Sequence, residues 1–513
     1  MKDIEDLRIL LTAAEAYPAF EERVAAAQVR ITASFRIFDP FTRLRTRAGR
    51  AYGTHWFDLL AGKLREGVEI DLAIADFDPV AKPGLHRQTW ASMRAFWALA
   101  EASGACDGLR VRANMHPART GRLPTFLLWP HARRRIRTEL ARLSRLPEAE
   151  RQEALRLSPA LMPLLKDDGR RVRFWPPVHY VPASHHQKIA VIDDEWLYMG
   201  GLDLDERRYD SIDHERPAEE TWHDVQMLVR GRVVADALRH LREFEAVTAG
   251  RQPPSQLPGP FLRTLSAPRR HGAWASLSPK TVASELFAVH IEGIASARRV
   301  IYIETQFLRD SRIAAALGRA ARERPDLRVI IVLPAAPEDV AFLPRPGPDA
   351  RYGEYLQARA VARLTTAFGG RLFLAAPAQP ARQQRARTRR DHLDGAPIIY
   401  VHAKIAVFDN AWAVVSSANL NGRSMSWDTE CGLRLDDPGI ATHLLQRCLD
   451  HWSAGQGPAA TDEPAHILET LRARAYADRA RDPDQREGLL LPYRVAPARR
   501  FGRNLPGIPE GMV

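Results

Sequence analysis

Two short segments of the chain share a spacing of histidine, lysine and aspartate that suits phosphoryl chemistry. Residues 186–193 read His-Gln-Lys-Ile-Ala-Val-Ile-Asp, and residues 402–409 read His-Ala-Lys-Ile-Ala-Val-Phe-Asp. Lysine is scarce, with seven among 513 residues, yet two of the seven lie in these segments. An imidazole can attack phosphorus or exchange a proton, and an ammonium group neutralises phosphate oxygens. The spacing therefore predicts a phosphodiester site built from two copies of one motif, H-x-K-x-x-x-x-D.

The alternation of residues predicts which catalytic side chains meet. In a strand that begins at its histidine, residues two apart share a face, so His186 lies beside Lys188 and His402 beside Lys404. The isoleucine, alanine and valine around them indicate buried strands, where a lysine needs an anionic partner. If the two segments pack about a twofold axis, two imidazoles and two ammonium groups converge on one pocket.

The last residue of each motif has a different expected position. Asp193 and Asp409 complete the pattern and count among its catalytic residues. They fall on the opposite parity from the histidines, at the ends of the apolar segments. We therefore interpret both as turn or ion-pair residues that support the motif, and not as substrate contacts.

Helix and strand patterns repeat around the two motifs. A helical stretch precedes an apolar strand at 31–38 and again at 300–307, and further helix–strand pairs lead to each motif. This alternation predicts an α/β fold with largely parallel sheets, and two copies predict a duplicated fold. We expect two tandem, pseudo-symmetric α/β/α halves with the active site at their interface. The expected boundaries are 1–250 for the first half with a basic helical insertion at about 116–180, 251–284 for a linker, 285–475 for the second half and 476–513 for an irregular tail.

The composition is globular and basic. A hydrophobic fraction of 45% and a charged fraction of 27% exclude disorder of the whole chain. The sequence contains no run of 18 apolar residues, so we predict no transmembrane helix. The net charge of +12 favours phosphate-bearing partners, either nucleic acid or anionic lipid, although an arginine bias can also follow genome composition. Three scattered cysteines fit neither a disulfide framework nor a zinc spacing. The acidic start lacks a secretory pattern, so we expect a cytoplasmic protein.

Segments outside the motifs are similar to one known family. They are Gly-Gly-Leu-Asp-Leu at 200–204, Arg-Tyr-Asp at 208–210, Trp-His-Asp-Val at 222–225, Tyr-Ile-Glu-Thr-Gln-Phe at 302–307 and Ser-Ala-Asn-Leu-Asn-Gly-Arg-Ser-Met at 417–425. With the two motifs, they resemble the phospholipase D superfamily, and in detail its phospholipase D branch proper. Two departures stand out: Gly-Gly-x-Asp replaces the Gly-Ser-x-Asn typical of nucleases and cardiolipin synthases in the superfamily, and Ser416 replaces a usual glycine.

The motif chemistry and the resemblance together imply a two-step mechanism. One histidine attacks phosphorus and forms a phosphohistidine, while the other protonates the leaving alcohol and then activates water or an acceptor alcohol. The resemblance makes His186 the nucleophile and His402 the acid. Lys188 and Lys404 neutralise the non-bridging oxygens. The resemblance adds two phosphate-binding residues, Ser417 and Asn419.

The same resemblance implies a carboxylate that orients each histidine. Asp224 is the expected partner for the histidine of the first half and Glu430 for that of the second, with Asp428 as a competitor. His185 beside His186 could suggest a metal site, but the lysines would repel a cation and no ligand cluster appears in the sequence. We therefore expect no metal and no cofactor in the reaction.

The resemblance implies an enzyme that cleaves head groups from glycerophospholipids to give phosphatidate, and the phosphohistidine intermediate implies transfer to primary alcohols. The alternatives are a nuclease acting on DNA or RNA, a phosphatidyltransferase similar to cardiolipin synthases, and a non-catalytic membrane-binding scaffold. The arginine-rich run 382–390 is either a solvated loop or a segment that binds an anionic membrane electrostatically. Phe174 and Trp175 either line a channel or belong to the core. We expect a monomer that associates peripherally with its membrane.

Overall fold

The chain builds two large β-sheets, one from each half. The computed structural model describes residues 3–343, 346–384, 386, 388 and 390–512. The strands of the first half are β1 (Asp6–Leu11), β2 (Arg30–Phe35), β3 (Glu69–Asp76), β4 (Leu109–Met115), β5 (Leu165–Lys166), β6 (Arg171–Val172), β7 (Ile189–Ile192), β8 (Trp196–Gly200) and β9 (Val225–Arg230). Its helices are α1 (Thr12–Ala26), α2 (Arg47–Arg50), α3 (Trp56–Arg65), α4 (Pro83–Ser103), α5 (Arg122–Leu143), α6 (Glu148–Arg156) and α7 (Val233–Thr248).

The second half repeats this alternation and extends it. Its strands are β10 (Phe261–Ala267), β11 (Lys280–Ser284), β12 (Val300–Thr305), β13 (Arg328–Val332), β14 (Leu372–Pro377), β15 (His392–Leu393), β16 (Ala396–Pro397), β17 (Lys404–Phe408), β18 (Trp412–Ser416), β19 (Glu430–Leu435) and β20 (Leu490–Pro492). Its helices are α8 (Glu285–Ser296), α9 (Ser311–Glu323), α10 (Glu338–Ala341), α11 (Pro348–Phe368), α12 (Pro438–Trp452), α13 (Pro464–Ala480) and α14 (Val495–Phe501).

The strand order repeats between the halves, which confirms the duplicated α/β fold. The first sheet runs β1-β9-β8-β7-β2-β3-β4, and the second runs β11-β10-β19-β18-β17-β12-β13-β14-β20. Both sheets are mixed, so the expectation of largely parallel sheets is wrong. Pairing is parallel across β2, β3 and β4 and across β12, β13 and β14. The motif strands pair antiparallel with the strands that follow them, because a connection of only a few residues closes a hairpin.

The inner faces of the two sheets share one hydrophobic core. Ile189 and Val191 of β7 lie in that core together with Ile405 and Val407 of β17. The alternate residues of β7, beginning with Ala190, pack on the outer side against α1, α3 and α4. The equivalent face of β17 packs against α8, α9 and α11. The period-two alternation of the motif strands therefore joins the halves face to face and covers each outer face with helices.

The expected linker and tail both contain regular structure. Segment 251–284 supplies β10 and β11, and β10 pairs antiparallel with β19. Segment 476–513 supplies β20, which pairs antiparallel with β14, and α14, which contacts α11. The sequence pattern did not predict β11 and β20, because both are edge strands of the second sheet. Edge strands are short and tolerate proline and polar residues.

The helical insertion has a small core of its own. It contains α5, α6 and the hairpin of β5 and β6, and Trp129 and Ile136 of α5 are buried within it. Among the described residues, no helix combines the length and the apolar character needed to cross a bilayer.

Candidate active site

The two motif histidines line one cavity between the halves. The cavity measures about 240 Å³, and His186 and His402 both face it. Other residues that face it include Arg36, Arg208, Trp222, Arg309, Asn419 and Arg423. The convergence of two imidazoles with several guanidinium groups suits a bound phosphate, because the N–H groups of a guanidinium match the geometry of phosphate oxygens.

Each histidine lies just before its strand and not inside it. The segment that carries it crosses to the other half instead. The backbone N–H of His186 donates to the carbonyl oxygen of Thr429 at 2.9 Å, and that of His402 donates to the carbonyl oxygen of His223 at 2.7 Å. These reciprocal contacts bring each histidine to the start of a strand of the opposite half, β19 or β9.

The carboxylate that holds each histidine also comes from the opposite half. Nδ1 of His402 lies 2.5 Å from Oδ2 of Asp224, and Nδ1 of His186 lies 3.2 Å from Glu430. The expected assignment of Asp224 to the first histidine and Glu430 to the second is therefore wrong, because each carboxylate contacts the histidine of the other half. A carboxylate on Nδ1 leaves Nε2 free to react.

Asp428, the competing carboxylate, is engaged elsewhere. It accepts the backbone N–H of Ser184 at 2.7 Å and lies 3.0 Å from the guanidinium group of Arg423. It thus fixes the chain before the first motif and one arginine of the cavity, and it leaves His186 to Glu430.

Burial sets the protonation of the histidines and their carboxylates. Burial and then the nearby lysine charges hold the pKa of His186 and of His402 well below the usual value of a histidine. Burial also raises the pKa of Glu430 to about 8 and that of Asp224 to about 6. The lowered pKa keeps both imidazoles neutral at neutral pH, and a neutral imidazole carries the lone pair that a nucleophile needs.

The two motif lysines are buried beside the histidines. Nζ of Lys188 lies 3.3 Å from Nδ1 of His186 and donates to its carbonyl oxygen. Nζ of Lys404 donates to the carbonyl oxygen of His402. Burial lowers the pKa of both lysines, that of Lys404 to about 7. A bound phosphate anion would relieve this penalty, because an opposite charge favours the ammonium form.

The two expected phosphate-binding residues lie in different places. Asn419 faces the cavity, and its amide donates to Oε1 of Gln306 at 3.0 Å. Ser417 is fully buried, and its hydroxyl donates to the carboxylate of Glu430. Ser417 is therefore placed to hold a carboxylate and not to contact phosphate, because the buried Glu430 draws its hydroxyl inward.

Asp193 and Asp409 lie outside the cavity in matching turns. Both have left-handed backbones, with φ of 52° and 53°. The carboxylate of Asp193 accepts the backbone N–H groups of residues 28, 29 and 30, where β2 begins. That of Asp409 accepts those of residues 298, 299 and 300, where β12 begins. These contacts position the motif strand against its neighbour, and neither carboxylate is placed for direct catalysis.

The sequence analysis did not predict the arginines of the cavity as site residues. Arg208 lies over the ring of Trp222 at 3.5 Å, and its Nε and Nη1 are buried without a hydrogen-bond partner among the described residues. A signal existed for Arg208 and Arg423, since both lie in the family-like segments 208–210 and 417–425. Arg36 and Arg309 lie outside those segments, and only the fold brings them to the cavity.

The sequence of the chain is similar to one protein family and to several named proteins. Residues 290–452 match the family described as "Cardiolipin synthase, PLD-like domain". The chain is 25% identical to phospholipase D1 of Schizosaccharomyces pombe over 327 residues, which cover 47% of this chain and 24% of that protein. It is 24% identical to cardiolipin synthase A of Pseudomonas putida F1 over 327 residues, which cover 61% of this chain and 58% of that protein. The chain thus spans about a quarter of the length of the first relative.

A solved structure has the same fold. The crystal structure of phosphatidylserine synthase from Haemophilus influenzae Rd KW20 superposes with a TM-score of 0.50 at 15% identity, over 92% of this chain and 94% of that chain. The likeness therefore extends over both halves.

Proposed function

The chain belongs to the phospholipase D superfamily of phosphodiesterase-type enzymes, and we propose that it cleaves the head group from glycerophospholipids to give phosphatidate. The observation that carries this proposal is the pair of crossed histidine–carboxylate contacts on one cavity that four arginines also line. A lipid substrate is supported by the segments similar to the phospholipase D branch and by relatives named for phospholipid chemistry.

In the first step, the phosphodiester lies among the cavity arginines and Nε2 of His186 attacks phosphorus. The bond from phosphorus to the head-group oxygen breaks, and His402 gives that oxygen its proton. His402 takes up this proton when the anionic substrate binds, because the negative charge and Asp224 favour the imidazolium form. The arginines, lysines and Asn419 stabilise the charge on the non-bridging oxygens.

In the second step, water attacks the phosphohistidine and His402 accepts its proton. Phosphatidate leaves and His186 returns to its neutral form. A primary alcohol can replace water, which gives a phosphatidyl alcohol through the same intermediate. Every proton is held by a side chain of the cavity, so the scheme assigns no step to a metal.

The test is incubation of the full chain with mixed phospholipid vesicles and ethanol, followed by mass spectrometry of the lipids. We expect phosphatidate and phosphatidylethanol, and neither product with His186→Ala. Plasmid DNA is the parallel substrate. Efficient DNA nicking that depends on His186, without lipid turnover, would replace the lipase proposal with a nuclease.

A phosphatidyltransferase is the second candidate, because the match to cardiolipin synthase A covers more of this chain than the match to phospholipase D1. The same assay distinguishes the two when phosphatidylglycerol is added as an acceptor. Transfer that exceeds hydrolysis at equal vesicle concentration would favour the transferase.

We also propose that helix α5 contacts the membrane. Leu123, Phe126 and Leu127 project from one side of its first turns and are 42%, 61% and 67% exposed. Arg134 and Arg137 follow on the exposed side. An apolar face followed by basic residues fits an anionic bilayer, into which the apolar side chains insert while the arginines meet the head groups.

Nearby aromatic residues extend this apolar surface. Phe174 and Trp175 are 70% and 63% exposed, so neither belongs to the core. Trp129 of α5 donates to the carbonyl oxygen of Phe174 at 3.0 Å, which places this pair beside the helix. Tryptophan and phenylalanine are suited to the boundary between head groups and acyl chains.

The arginine run 382–390 is less suited to that role. Arg385, Arg387 and Arg389 lie outside the described residues. Arg382 pairs with Asp482 at 2.9 Å, and Arg390 pairs with the buried Glu354 at 2.9 Å. These two arginines already have acidic partners, so we assign the membrane contact to α5.

A further inference from the structure

Three buried histidines converge between the halves, apart from the residues that face the active-site cavity. His214 and His223 precede β9 in the first half, and His451 belongs to α12 in the second. One ring nitrogen of each lies within 4.8 Å of a ring nitrogen of each of the others. The Nε2 atoms of His214 and His451 are 3.1 Å apart. The residues are far apart in the sequence, which conceals the cluster.

Two carboxylates determine which nitrogen of these rings is free. Nδ1 of His214 lies 2.6 Å from Asp210, and Nε2 of His223 lies 2.8 Å from Glu304. Each carboxylate accepts the ring N–H of its histidine, so the lone pair remains on Nε2 of His214 and on Nδ1 of His223. Nδ1 of His223 is buried and has no hydrogen-bond partner among the described residues. A carboxylate behind the ring is the usual support of a metal-binding histidine.

The scaffold around the cluster orients the ring of His223. Glu304 also accepts hydrogen bonds from the hydroxyl of Tyr302 and the indole N–H of Trp452, each at 2.6 Å. The ring of Trp452 lies 4.3 Å from that of His223. The carboxylate therefore has three donors and little freedom, which orients His223 before any ligand arrives.

We propose that His214, His223 and His451 bind one divalent transition-metal ion, with Zn²⁺ as the best fit. Imidazole suits zinc, cobalt, nickel and copper, and three histidines leave a fourth position open. Nitrogens about 2.0 Å from a tetrahedral ion are roughly 3.3 Å apart. The His214 and His451 pair already has this separation. The other two separations are at most 4.8 Å and need to shorten by at most about 1.5 Å when the ion binds.

The cluster also has a route for a cation. His214 and His451 line an open pocket whose other residues include Asp213, Glu215 and Asp450. These carboxylates attract a cation, and one of them or a water molecule can fill the fourth position. Arg447 lines the same pocket, but its guanidinium group is held by Glu15 at 2.6 Å.

The position of the ion assigns it a structural role and not a catalytic one. It would join α12 of the second half to the segment before β9 of the first. His223 precedes Asp224, and its carbonyl oxygen accepts the N–H of His402. An ion on His223 would therefore stabilise the segment that orients the second catalytic histidine. This inference stands whether the substrate is lipid or nucleic acid.

The test measures metal in the full chain without a histidine tag. The protein is stripped with a chelator, refilled with Zn²⁺ or Co²⁺, desalted and analysed by mass spectrometry of the elements. We expect one ion per chain, nitrogen ligands at about 2.0 Å by X-ray absorption, the visible bands of tetrahedral Co²⁺ and a higher melting temperature with Zn²⁺.

Variants connect the ion to the cluster. His451→Gln should lose the ion and the thermal shift, while His443→Gln, exposed on the same helix, should keep both. If His451→Gln does not fold, the metal content of the wild-type chain after refilling decides whether the site exists. A wild-type chain without bound metal after refilling, or a folded His451→Gln variant that keeps the ion, would overturn the proposal.

Discussion

Nδ1 of His402 contacts Oδ2 of Asp224 at 2.5 Å, although the two residues are 178 positions apart and belong to different halves. The contact between His186 and Glu430 spans 244 positions in the opposite sense. Each half therefore supplies a histidine to the cavity and a carboxylate to the histidine of the other half. Neither half can orient its own histidine, so the two motifs make one site and not two.

The crossed contacts predict separable effects of the two carboxylates. With a p-nitrophenyl phosphodiester at about pH 9, where Glu430 is mainly ionised, Glu430→Gln should slow the burst of p-nitrophenol, because an amide oxygen accepts the N–H of His186 more weakly than a carboxylate does. Asp224→Asn should keep the burst and slow turnover, by about 10²–10⁴-fold for lost acid–base catalysis. Stopped-flow absorbance measures both phases. Burst loss in Asp224→Asn with a normal burst in Glu430→Gln would show that the pairing is not the functional one.

The roles of the histidines make a second prediction. p-Nitrophenol leaves without protonation, so His402→Ala should release it in a single burst and accumulate a phosphohistidine at His186. Hydrolysis of that adduct should be slow, because the base for water is missing. His186→Ala should show neither burst nor adduct. Peptide mapping by mass spectrometry checks the position, and a phosphoryl group on His402 would reverse the two roles.

The two histidines that line the cavity were predictable from the sequence, whereas their pairing with the carboxylates was not. A duplicated spacing of histidine and lysine is a local pattern, and it identified His186 and His402 directly. The pairing depends on isolated bridges between the halves, His185 with Thr429 and His223 with Val401. Such bridges are tertiary contacts with no periodicity along the chain. A single arginine such as Arg36 carries no signal either, because arginine is abundant here.

The third prediction concerns the last residue of each motif. Asp409→Asn should lower the free energy of unfolding by about 1–3 kcal/mol, because charged hydrogen bonds to backbone N–H groups are weakened. The kcat should change little, since Asp409 contacts the start of β12 and not the cavity. Urea denaturation and steady-state kinetics measure the two quantities. Asp194→Asn, at an exposed ion pair with Arg30, is the control, and a loss of kcat without a loss of stability would contradict the structural role.

Burial of Lys404 predicts a stability effect that depends on pH. Burial lowers its pKa from 10.5 to about 7, so the folded chain is penalised for the ammonium form. The penalty is complete below pH 7 and disappears as pH rises towards 10.5, where the unfolded chain also releases the proton. Lys404→Met should therefore raise the melting temperature at pH 6 more than at pH 9, while abolishing activity. The exposed Lys280→Met should shift neither value, and a larger gain at pH 9 would contradict this assignment.

The final prediction tests the membrane surface on α5. Replacing Phe126 and Leu127 with serine removes the most exposed apolar side chains of the helix, so binding to anionic vesicles should weaken at least tenfold in a sedimentation assay. Turnover of a soluble short-chain lipid should stay within twofold, because neither residue faces the catalytic cavity. Tyr476→Ser removes an exposed aromatic residue on α13 and should leave binding unchanged. If Arg382→Gln weakens binding while the serine variant does not, the contact belongs to the arginine-rich loop and α5 serves another purpose.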